Sequence, residues 1–133
     1  MKSDAEPHLR KSREFLEDGT LLLSKARYAR CASCAYYAMF HAAQAMLANE
    51  GLEPHTHEGV KTKFSEIFVK ERKAIPAEFG RMLSRAHDFR LDADYAIDLK
   101  SEVGQEVARQ QLENAYRFLT MAEAHLQRGT SRG

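Results

Sequence analysis

The residues best suited to chemistry fall in three groups. In the run Arg90-Leu91-Asp92-Ala93-Asp94-Tyr95, a guanidinium stands close to a carboxyl and a phenol. Arginine is a fixed cation whose planar fork suits phosphate. Asp94 and Tyr95 could orient that fork or take part in proton transfer; Asp94 could equally pair with Arg90 and pin the end of a helix. The second group is Ser33, Tyr37, His41 and Gln44, spaced by four, four and three residues. On a helix these share one side. A polar, aromatic stripe of this kind meets water, a partner helix or a ligand. The third group is His55 and His57, an H-x-H pair between Glu53 and Glu58. Two imidazoles with carboxylates could hold a divalent ion. The spacing matches no closed ligand set, however, so no metal is expected, and His57 is expected to bond a neighbouring helix.

Two further features carry less. Cys31 and Cys34 have C-x-x-C spacing, but no second pair exists and the flanking sequence is Ala-rich. They read as small thiols lining a core. Lys61, Lys63, Lys70, Arg72 and Lys73 are interrupted by Glu66 and Glu71, which reads as a solvated helix face.

These groups need helices to place them, and the apolar pattern supplies helices throughout. Leu9, Leu16 and Leu23 recur every seven residues, with a capping box from Ser3 to Glu6 opening the first helix. The second carries Ala32, Ala35, Tyr36, Met39, Phe40, Ala43, Met46 and Leu47, and Gly51 with Pro54 stops it. Thr56 caps a third with Val60, Phe64, Ile67 and Phe68. Pro76 suits the first turn of a fourth, with Phe79, Met82, Leu83, Ala86 and Phe89. From Leu91 to Lys100 the period is lost, which allows a loop or a frayed continuation. The last helix, capped by Ser101, has Ala108, Leu112, Ala115, Leu119, Ala122 and Leu126. Residues 129–133 form a polar tail expected to fray. The fold class is therefore all-α, an antiparallel bundle of four to five helices in one domain over 1–133, with its core at about 9–126.

Composition bounds the function. The 133 residues carry 20 basic and 19 acidic side chains, a net charge of +1. A non-specific DNA binder would be clearly basic. No apolar run approaches the roughly 20 residues of a membrane span, and no apolar leader follows the N-terminus. A cytoplasmic location is expected, with no membrane contact and no cofactor.

The segment Ala35-Tyr36-Tyr37-Ala38-Met39-Phe40-His41-Ala42-Ala43, the group of His57, Gly59 and Val60, and the run from Arg90 to Tyr95 together resemble three segments of a prokaryotic subfamily of HEPN domains, in the same order. The resemblance spans about residues 9–126. It implies a helical bundle, commonly a homodimer, often encoded beside a minimal nucleotidyltransferase in toxin–antitoxin pairs. It also implies binding of nucleotide or RNA, assigned to Tyr37, His41, His57 and Arg90. Many HEPN toxins are metal-independent endoribonucleases with an Arg followed four to six residues later by His. In such a site Arg holds the phosphate and His manages protons. Counted from Arg90, no His follows; Tyr95 stands there instead, and a phenol with a pKa near 10 is a poor base at neutral pH. Arg81 and His87 match the spacing literally, upstream of the aligned position. The expected function is nucleotide or RNA binding in a toxin–antitoxin-type system. The alternatives are an atypical endoribonuclease using Arg90, Asp94 and Tyr95, and a non-catalytic helical adaptor.

Overall fold

The computed structural model describes the backbone of residues 4–95 and 103–131 and the side chains of 4–91 and 103–128. Among these residues all regular structure is helical. The helices are α1 (Glu6–Ser24), α2 (Tyr28–Ala48), α3 (His57–Phe64), α4 (Ala77–Tyr95) and α5 (Gln105–Ser131). A π-helical segment, Ser65–Glu71, continues α3.

The axis of the bundle is α2, packed by α1, α4 and α5. Its composition explains that position. Ala32, Ala35, Ala38, Ala42, Ala43 and Ala45 are all buried. Methyl side chains let three helices approach one central helix without overlap. The larger volume comes from Tyr36, Met39, Met46 and Leu47 on the same helix. Buried Ser12 of α1 donates to the Ala38 carbonyl at 2.7 Å, which fixes the register of α1 against α2. On the other side Phe64, Phe68, Phe79 and Phe118 form an aromatic cluster, with Phe118 lying 5.3 Å from Phe64 and 5.9 Å from Phe79. This cluster ties α3, its π-helical extension, α4 and α5 together.

The helix ends follow from backbone chemistry. Gly51 at φ +80 closes α2; Leu52 N–H donates to the Leu47 carbonyl and Gly51 N–H to that of Ala48, the paired bonds of a Schellman stop. Ala26 closes α1 the same way at φ 60, with Arg27 bonded to Leu22 and Ala26 to Leu23. Thr56 caps α3, accepting from Gly59 N–H at 2.8 Å. A Cβ at position 59 would fall 2.9 Å from that Thr56 oxygen, so the cap requires glycine there.

Two expectations change, and one that was left open is decided. The cap of α1 is Ala5, with no side-chain bond, not Ser3, which lies outside the described residues. Pro7 gives the reason: it is tolerated only in the first turn, and a helix capped at Ser3 would place it deeper. The stretch from Leu91 extends α4 as far as Tyr95, while the expected Ser101 cap lies outside the described residues. Finally, α5 continues to Ser131, because a long packed helix propagates more readily than a single Gly129 interrupts it. No helix among the described residues is long and apolar enough to cross a membrane.

Candidate functional site

The middle of α2, the start of α3 and the second half of α4 meet on one face. Each contributes through its own periodicity. Tyr36 and Tyr37 are neighbours on α2, so they diverge: Tyr36 is fully buried and Tyr37 half-buried. His57 begins α3 directly after the Thr56 cap, and Lys61 follows one turn later. On α4, His87 and Arg90 are three residues apart and therefore share a face.

The contacts are specific. Arg90 donates to the Tyr37 hydroxyl at 2.7 Å, and its guanidinium lies 5.4 Å from the Tyr37 ring centre. The Tyr36 hydroxyl and His57 Nδ1 are 2.5 Å apart. Lys61 Nζ lies 3.0 Å from His87 Nδ1 and 2.9 Å from a Glu58 carboxylate oxygen. The rings stack as well: His87 lies 4.9 Å from Tyr36 and 5.3 Å from His57, at small interplanar angles. Three helices thus deliver two cations and two imidazoles to one patch.

The electrostatics keep the imidazoles uncharged. Burial first, then the positive charge of Arg90 and Lys61, lowers the pKa of His57. Burial, Lys61 and His57 do the same to His87. Burial raises the Tyr36 phenol, so it keeps its proton. Exposed Glu58 is lowered by its bond to Lys61.

The expected residues divide. Tyr37, His57 and Arg90 come together. His41 lies one turn along α2 and packs elsewhere, stacked 5.6 Å from Phe15 and 6.1 Å from His8. Burial, with help from His8 and Lys11, takes its pKa down to about 4. Of Asp94 and Tyr95 only the helical backbone is described, and their side chains lie outside the described residues. Arg81 and His87 are not a pair. Arg81 is exposed and His87 buried, because six helical residues turn the chain by about 240°. His55 is exposed while His57 turns inward to Tyr36, as expected of a histidine bonding a neighbouring helix. Among the described residues no His, Cys, Asp and Glu group could hold a metal ion. Cys31 is buried and Cys34 half-buried. Burial lifts the Cys31 thiol to about 11 and raises Cys34 too, which leaves both unreactive.

Sequence reasoning missed three members. Tyr36 looked like core and Lys61 like part of a solvated run, while His87 was noted only for its spacing from Arg81. The available signal was spacing: His87 precedes Arg90 by three residues, and Lys61 follows His57 by four.

Known proteins share this chain's pattern. The family model described as "HEPN domain" matches residues 5–125. A UPF0332 protein of Archaeoglobus fulgidus is 35% identical over 120 residues, covering 90% of this chain and 93% of its own. A protein of Methanocaldococcus jannaschii, named as a candidate toxin, is 35% identical over 89 residues, covering 67% of this chain and 66% of its own. The crystal structure of TT1696 from Thermus thermophilus superposes with a TM-score of 0.79 at 16% identity, covering 93% of this chain and 98% of that one, and so shares the fold. The match over residues 5–125 takes in nearly all of the bundle and every described residue of the site, and the chain belongs to the HEPN domain family.

Proposed function

We propose that this chain binds the phosphate groups of a nucleotide or RNA on the face formed by α2, α3 and α4, as a toxin-like component working with a minimal nucleotidyltransferase. The observation that carries this is the arginine: Tyr37 orients the Arg90 fork at 2.7 Å, and Lys61 and two imidazoles stand beside it. An oriented guanidinium with further donors alongside is the chemistry that phosphate oxygens require. The toxin-like role rests on family membership and on the printed name of the Methanocaldococcus relative.

The test is fluorescence anisotropy of a labelled single-stranded RNA against wild type and Arg90→Ala. Loss of one charge-assisted contact of about 1.5–3 kcal/mol weakens affinity by roughly tenfold or more. Equal affinity for both proteins sinks the proposal.

A second reading has its own support. The endoribonuclease chemistry of the family needs a histidine near the arginine, and His87 supplies one a turn before Arg90. In that reaction the 2′-hydroxyl attacks the adjacent phosphorus, its proton passes to a base, and the 5′-oxygen leaves with a proton. Cleavage by wild type that Arg90→Ala abolishes would favour it. Intact RNA after incubation with wild type, alongside measurable binding, would leave the binding role alone.

A further inference from the structure

Both imidazoles of the cluster meet a hydrogen-bond donor at Nδ1. Lys61 Nζ stands 3.0 Å from His87 Nδ1. An ammonium has donors only, so Nδ1 must accept. The case of His57 takes one more step. Tyr36 is fully buried, and among the described residues its hydroxyl bonds only His57 Nδ1, at 2.5 Å. If His57 donated instead, the hydroxyl hydrogen would be buried with no acceptor among the described residues, at the desolvation cost of an unmade hydrogen bond. The phenol therefore donates and Nδ1 accepts. A neutral imidazole carries a single N–H, so in both rings it sits on Nε2. Neither Nε2 bonds a described group, and neither is among the enclosed polar atoms left without a partner.

We infer that Tyr36 and Lys61 lock His57 and His87 as neutral Nε2–H tautomers, so that the site offers a phosphodiester two uncharged N–H donors beside the Arg90 guanidinium and no imidazole base, which counts against the endoribonuclease reading with His87 as its base. The phosphodiester in that statement rests on the phosphate-binding reading above; the tautomers do not. Tyr36 and Lys61 are positioning residues, each acting through the histidine it bonds. The charges facing the pair come from three helices. Tyr36 and Tyr37 face it from α2, and Arg90 from α4. From α3, Glu58 lies 4.0 Å from His87 Nδ1 and favours its protonation, but Lys61 is closer to the same atom and already pairs with Glu58. An added proton on His57 Nδ1 would displace the Tyr36 hydroxyl hydrogen from its acceptor, and one on His87 Nδ1 would stand against the Lys61 ammonium 3.0 Å away. The cations beside the pair are Arg90, which donates to Tyr37, and Lys61, which is paired with Glu58. Fixed donors also select for ligands that present acceptors only, as phosphodiester oxygens do.

Long-range proton–nitrogen NMR of uniformly 15N-labelled full-length protein reads the tautomers directly. Wild type at pH 7 is expected to show, for both histidines, an unprotonated Nδ1 and a protonated Nε2. Tyr36→Phe removes one oxygen without changing shape; it should return His57 to a tautomer mixture, leaving His87 as it was. Lys61→Met should do the converse. A protonated Nδ1 on both rings of wild type, or an imidazolium at pH 7, overturns the inference, as does a variant in which the freed histidine keeps its wild-type signature. Affinity for an all-2′-O-methyl oligonucleotide gives the second readout, since its phosphodiesters hold their charge between pH 8 and 6. Wild-type affinity should change by less than about twofold over that range, because neither imidazole gains charge there. A several-fold acid gain in wild type overturns the lock. The expected NMR signatures with no oligonucleotide binding at any pH would support the lock and remove the phosphate-binding reading instead.

Discussion

Arg90 illustrates how one residue acquires a role. Alone on a helix an arginine is a mobile cation. Here the Tyr37 hydroxyl accepts from one end of the fork and the ring centre lies 5.4 Å from the guanidinium carbon, so the orientation of the guanidinium is set before any ligand arrives. Removing only the hydroxyl tests this. Tyr37→Phe should keep the fold and the ring contact yet weaken RNA binding by about three- to tenfold, the cost of one lost hydrogen bond of about 1 kcal/mol; anisotropy measures it, and an unchanged affinity would show that the bond does not orient the fork. His41 carries a different consequence. Its folded-state pKa, about 4, lies below the roughly 6.5 of an unfolded histidine. Between these values the unfolded chain binds more protons, so stability falls as pH drops from about 6.5 to about 4 and levels off below. His57 and His87, also lowered, add in the same direction. Urea midpoints measured at pH 7 and pH 4.5 should differ by about 2 kcal/mol in unfolding free energy, with a smaller difference in His41→Phe. A midpoint that rises on acidification would contradict this.

At the level of elements, the site depends on where helices start and stop. The Thr56 cap sets the first turn of α3 and with it the direction of His57. Thr56→Ala should cost about 1 kcal/mol of stability, seen as a lower melting temperature. RNA affinity should weaken as well if His57 contributes a donor. The end of α1 offers the opposite case. Ala26 occupies a left-handed conformation that an L side chain adopts at a penalty of about 1 kcal/mol. Ala26→Gly should therefore raise the melting temperature by a few degrees, and a lower value would indicate that the Ala26 methyl group packs more usefully than its strain costs.

For the whole molecule, the candidate face is half of a possible arrangement. We propose that the chain forms a homodimer that places two such faces near one cleft, as the family resemblance implies, and that a minimal nucleotidyltransferase is its partner. Light scattering should give about twice the 15.1 kDa of one chain; a particle of single-chain mass at micromolar concentration would remove the dimer. A thermal-shift panel with ATP, GTP and AMP decides between ligand binding and a purely adaptor role. A ligand at a hundred times its dissociation constant stabilises by about 2.7 kcal/mol, and flat curves across the panel would favour the adaptor.

What the sequence determined by itself was local and periodic. The apolar spacing specified the helices, the run of alanines marked α2 as the helix others could approach, and Thr56, Gly51 and Gly59 wrote their own turns. Arg90 was legible as a candidate because its planar fork suits phosphate, while Tyr37 and His57 became candidates through the family resemblance. The tertiary structure decided which of them meet. His41 shares a stripe with Tyr37, and Phe15 of α1 stacks on both, but His41 meets His8 of α1 whereas Tyr37 accepts from Arg90 of α4. Tyr36 and Lys61 looked like core and solvated surface, and only the packing of α3 and α4 against α2 brings their donors to the two imidazoles. A histidine's protonation depends on atoms within about 3 Å that sit 21 and 26 residues away in the chain, so periodicity could announce the imidazoles of this site but not which nitrogen would carry the proton.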